Sequence, residues 1–152
     1  MPQAPDAIPL RSRRAATRRG ALVLIAILIV LTLGGVASYL YNQLRQDIEQ
    51  KQAAIAATGG DPGWGRTVLA HFGCGGCHMI PGIANATGQV GPELGGIARR
   101  VYVAGVVTNT PDNLIRFIVD PKSVDAESAM PRTGIDAEEA RDVAAYLYSL
   151  RQ

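Results

Sequence analysis

The chemistry of this 152-residue chain concentrates in Cys74-Gly75-Gly76-Cys77-His78, which holds both of its cysteines and one of its two histidines. Two thiols three positions apart, followed directly by an imidazole, can bond to the vinyl groups of a haem while the histidine binds the iron from the same side. The same pair of thiols could instead close a disulfide, supply half of a zinc site or form a redox-active dithiol. Zinc needs two further ligands at paired spacing, and only His71 remains, with no third cysteine. A thioredoxin-like dithiol needs a strand before it and a βαβ pattern around it, whereas Trp64 to Phe72 reads as a helix. Covalent haem is therefore the expectation, and a disulfide module without haem would show no Soret absorption.

The elements that must position this pentapeptide lie on both sides of it. Gly65 to Gly73 predicts a helix running into Cys74, and Asp136 to Leu150 predicts the last one. In the latter, Asp136 is placed to cap, Glu138 and Glu139 fill the first turn, and Val143, Tyr146, Leu147 and Leu150 make one apolar face. Between them, Thr110 is placed to cap a helix that carries Pro111 in its first turn. Gly91-Pro92-Glu93-Leu94 reads as a turn.

Taken together, residues 63–152 resemble a class I c-type cytochrome, an all-α fold around one covalent haem c. The resemblance implies that Gly65 lets the first and last helices cross closely, and that Pro92 offers its carbonyl to the His78 imidazole. Such bonds set the orientation and basicity of a ligand. Met79 adjoins His78 and cannot reach the opposite face of the ring, since neighbouring Cα atoms are about 3.8 Å apart. His71 stands one turn before Cys74 on the same side. Met130-Pro131 matches the family's ligand pair, so the resemblance implies a low-spin iron held by His78 and Met130, with Cys74 and Cys77 as the covalent anchors.

The segment from Tyr102 to Lys122 is more specific. With its Asn109-Thr110-Pro111-Asp112-Asn113-Leu114 turn and its Asp120-Pro121-Lys122 end, it is similar to the cytochrome c domain of caa-type haem-copper oxidases. That likeness makes Arg99, Arg100 and Tyr102 the expected donors to the haem propionates. Phe117 stands where the pattern usually has tryptophan, which retains packing against the haem but removes a hydrogen-bond donor. No further cysteine is left and His71 alone cannot build the copper centre of an oxidase subunit II, so the expectation is a separate cytochrome without that domain.

Ahead of this head, residues 1–20 are rich in Pro, Ala and Arg and predict a disordered basic tail, on the cytoplasmic side by its charge. Ala21 to Tyr41 carries no charge, and twenty-one helical residues span about 31 Å, enough for a bilayer core. Arginines before it and Tyr39 and Tyr41 at its far end orient the span with the head on the far side. The alternative is a cleaved signal peptide, since Gly35-Val36-Ala37 before Ser38 has the form of a cleavage site. The uncharged run continues past that site, which favours a retained anchor. Residues 42–62 predict a helical stalk with Tyr41, Leu44, Ile48 and Ile55 on one stripe, ending in a hinge at Thr58 to Gly63.

The formal charge of +2 resolves into +4 on residues 1–20 and −1 each on residues 21–62 and 63–152. The basic excess belongs to the tail, so a nucleic-acid partner finds no support. The combined expectation is a monohaem electron carrier of a bacterial inner membrane, with a periplasmic head and no catalytic residue of its own. A terminal oxidase is the expected acceptor and a quinol-oxidising bc-type complex the expected donor. The alternatives are a cytochrome subunit of a dehydrogenase or photosynthetic reaction centre, and a haem enzyme or gas sensor in which Met130 is displaced.

Overall fold

The computed structural model describes residues 10–150 and divides into two compact units, the first ending at Leu44 and the second beginning at Arg45. The first helix is α1 (Leu10–Thr58). Residues 1–9 of the expected tail lie outside the described residues, but Leu10 to Gly20 is helical rather than disordered. Helix propagation explains the difference. Once the apolar run has nucleated the helix, each added Ala or Arg costs little, and no proline lies between Pro9 and Pro62.

In the first unit, the run from Ala21 to Tyr41 is exposed along its whole length, and α1 is long and apolar enough to cross a membrane. A surface of this kind needs lipid or protein to cover it.

The second unit starts with the end of α1, earlier in the chain than the glycine-rich break suggests. Ala54 and Thr58 are buried there, while Ile48 and Ile55 of the expected stripe are exposed. The Thr58 hydroxyl donates to the Ala54 carbonyl at 2.8 Å and accepts from the Gly60 N–H at 3.2 Å. Gly59 then leaves the helix with a positive φ of 72°.

Helix α2 (Pro62–His71) opens on Asp61, whose carboxylate accepts from the N–H groups of Gly63 and Trp64. Two short elements follow the cysteine pair, a 3₁₀ turn at Ile97–Arg99 and a hairpin of β1 (Tyr102–Val103) with β2 (Val107–Thr108), register Val103 to Val107. Ala104 and Gly105 turn that hairpin with positive φ at both positions, as tight hairpins require. The hairpin and an isolated bridge between Met79 and Thr87 are the β structure of the head among the described residues. Helix α3 (Pro111–Val119) is capped by Thr110, α4 (Pro121–Val124) is a single turn, and α5 (Ala137–Ser149) carries a full capping box between Asp136 and Glu139.

Helices α2 and α5 form the main packing pair. A side chain on Gly65 would run into the backbone carbonyl of Asp142, so the absence of a Cβ sets how closely the two helices approach. The Asp61 N–H donates to the Asp142 carboxylate at 2.7 Å and fixes the same crossing from its edge. Leu69, Val143 and Leu147 fill the contact, and Leu114 and Ile118 of α3 close the core. Full burial of each such side chain contributes roughly 1.5–3 kcal/mol.

Candidate functional site

The end of α2 delivers the cysteines. Gly73 turns the chain with φ at 69°, and the 3₁₀ turn Cys74–Gly76 follows at once. The N–H groups of Cys77 and His78 both donate to the Cys74 carbonyl, at 3.2 and 3.0 Å, so two thiols and an imidazole share one tight loop. Cys74 is half-buried and Cys77 exposed, and both stand as free thiols. Burial pushes the Cys74 thiol above the ordinary range, a backbone hydrogen bond pulls it back in part, and Cys77 adds to the rise.

His78 is oriented from below. Its Nδ1 lies 2.7 Å from the Pro92 carbonyl. A carbonyl can only accept, so Nδ1 carries the proton and the lone pair of Nε2 is left free for a metal. Gly91 lies flush with the ring, where any Cβ would strike the imidazole. Its N–H donates to the Cys77 carbonyl at 2.8 Å, and the Gly88 N–H to the Gly75 carbonyl at 3.0 Å.

Two long-range contacts hold the next stretch. The Tyr146 hydroxyl of α5 donates to the Pro81 carbonyl at 2.7 Å, and the Arg66 guanidinium of α2 donates to the Gly82 carbonyl at 2.9 Å. Burial raises the Tyr146 phenol above its usual range, with nearby Arg66 pulling the other way, and burial raises Tyr148 as well.

Above this floor opens a cleft of about 560 Å³, within the range of small-molecule and cofactor sites. Cys74, Cys77, His78, Pro92, Tyr102 and Met130 all border it. Arg99 does not; it ends the 3₁₀ turn and is exposed, and the neighbouring Arg100 borders the cleft in its place. One terminal nitrogen of Arg100 donates to the Glu93 and Gly95 carbonyls, which leaves the other guanidinium donors for a ligand. Phe117, half-buried, lines the wall, while His71 is exposed and sits against Phe72 edge to face. The mostly apolar walls, the thiol pair and an imidazole with a free Nε2 fit a haem attached through thioethers.

Asn109 was not among the expected site residues, yet it joins three segments around the cleft. Its amide donates to the Ile97 and Arg100 carbonyls, at 2.6 and 2.9 Å, and its oxygen accepts from the Tyr148 hydroxyl at 2.8 Å. The Asn-Thr-Pro turn was the available signal, but its tie to α5 is 39 residues away in the chain.

The chain is similar to "Cytochrome c oxidase subunit 2" of Alkalihalophilus pseudofirmus, at 33% identity over 88 residues. The match covers 57% of this chain and 25% of that relative, so it spans a quarter of the relative's length. No family model and no solved structure matches the chain.

Proposed function

We propose that the chain is a membrane-anchored monohaem cytochrome c that passes single electrons to a haem-copper terminal oxidase, as a tethered carrier or a resident subunit. The observation that carries this reading is the cleft itself, which gathers a thiol pair, a histidine with its Nε2 free and a methionine on apolar walls. A haem bound there supplies one-electron redox chemistry at its iron. Cys74 and Cys77 would hold it as thioethers, and His78 Nε2 and the Met130 sulfur would bind its metal. Methionine as the second ligand raises the potential, which suits a carrier near the end of a respiratory chain. Arg100 and Tyr102 would meet its propionates.

The likeness to an oxidase subunit 2 supports the choice of acceptor, and α1 supports the anchor. A quinol-oxidising complex of the bc type is the matching donor, and tethering to the membrane raises the effective concentration of both partners. The protein's part is to hold, tune and present the group; no residue is asked to do bond chemistry on a substrate. The test is a mild-detergent purification of the tagged full chain from its native membranes. Covalent haem with oxidase subunits in fixed ratio is the expected result. A haem-free chain overturns the reading, and haem with a reduced form that binds carbon monoxide readily moves it to a gas-binding class.

A further inference from the structure

The wall that carries Met130 is held by few bonds. Between α4 and α5 the chain from Asp125 to Ile135 forms neither helix nor strand. Within it, the Ser128 N–H donates to the Asp125 carbonyl at 3.0 Å, and the Asp125 carboxylate accepts from the Glu127 N–H at 3.1 Å. The Met130 N–H donates to the Ser128 hydroxyl oxygen at 3.3 Å. Ser128 is half-buried and borders the same cleft as Met130. Its hydroxyl therefore sits where it fixes the backbone of Met130 in a segment without the cross-loop bonds of the opposite wall, such as Gly91 to Cys77 and Leu94 to Met79.

We infer that Ser128 is a positioning residue whose hydroxyl keeps the Met130 backbone in the conformation that directs its thioether into the cleft. The inference rests on the reading of Met130 as an iron ligand. Without the hydroxyl, the Met130 N–H loses its acceptor, and molecules with Met130 withdrawn become a larger fraction of the population. An external ligand competing for the same position binds more tightly in proportion to that fraction.

The experiment titrates imidazole into the haem-loaded, oxidised full chain in detergent, at constant pH. Loss of one backbone hydrogen bond, net about 1 kcal/mol, corresponds to roughly fivefold tighter apparent imidazole binding in Ser128→Ala. Ser128→Thr and Ser128→Val have the same shape with and without a hydroxyl. Thr is expected to match the native affinity and Val to follow Ala, which keeps the test readable if the smaller side chain disturbs folding. Thr110→Ala removes a helix cap outside the cleft and lowers stability without touching the Met130 segment, so it should leave imidazole affinity unchanged. Equal affinities for the native, Ala and Val proteins overturn the inference, and so does a shift of the same size in Thr110→Ala, which would mark a general effect of stability. A native protein whose oxidised spectrum lacks the long-wavelength methionine-to-iron band overturns the ligand reading beneath it as well.

Discussion

The two walls of the cleft are built differently. The wall from Cys74 to Leu94 is bonded to itself and to both packing helices, through Gly88 to Gly75, Gly91 to Cys77, Leu94 to Met79, Tyr146 to Pro81 and Arg66 to Gly82. The wall from Asp120 to Arg132 relies on short-range turns and on one ion pair, Arg132 to Asp120 at 3.7 Å, whose arginine is largely exposed. The first wall holds its imidazole through a network that a single substitution weakens but does not abolish. The second holds Met130 on a few local bonds, and such weakly braced segments are the ones that open first. On the proposed function this asymmetry makes the histidine side the fixed reference and the methionine side the adjustable one.

The comparison can be tested most severely at the thiols. Replacing Cys74 and Cys77 together with Ala should abolish covalent attachment, read as loss of haem staining in a denaturing gel; retained staining would mean that the first wall is not the anchor. Next in size is Gly65→Val, which sets two methyls and a Cβ against the Asp142 backbone and should cost about 3 kcal/mol by overpacking. Its measure is a drop in the denaturation midpoint of the head. A midpoint within error of the native value would show that α2 and α5 do not need their close approach.

Tyr146→Phe removes the bond to Pro81 and should cost about 1–2 kcal/mol at neutral pH. The same residue, with Tyr148, sets an alkaline limit. Both phenols are raised by burial, so the folded state holds their protons after the unfolded chain, with phenol values near 10, has begun to lose them. Stability from these groups is full below about pH 10 and falls as pH rises through the raised folded values. Melting curves at stepped alkaline pH should show this slope flatten in a Tyr146→Phe, Tyr148→Phe double variant; an unchanged slope rejects the assignment. Smallest of all is Arg132→Gln on the second wall. An exposed ion pair at this distance is worth under about 1 kcal/mol, so the midpoint should move little and less still at high salt. A large loss there would erase the contrast between the walls.

Much of this was legible in the chain because the signals are local. Thr110 with Pro111, and Asp136 with Glu139, announce helix starts within four residues of themselves, and both caps are formed. The break after Thr58 is written in two glycines and a proline. Where local signals compete, the structure departs from them. The arginine-rich stretch before Ala21 lacks periodicity and suggests disorder, but a helix already nucleated downstream extends through it to Leu10. Adjacent arginines look alike in sequence, and only the direction of the chain leaving the 3₁₀ turn turns Arg100 toward the cleft and Arg99 away from its lining.

What the sequence determined by itself is the chemistry on offer: two thiols and an imidazole in five residues, a methionine far down the chain, and an uncharged run long enough for a bilayer. These follow from residue type and spacing, which folding does not alter. The tertiary structure decided which groups meet. It brought Tyr146 to Pro81 across 65 residues and Arg66 to Gly82 across 16, set the face of Gly91 against His78, and placed Met130 on the more lightly braced wall. Contacts of that kind depend on how helices cross and where loops return, and no local pattern encodes them, because their partners are chosen by packing of the whole head.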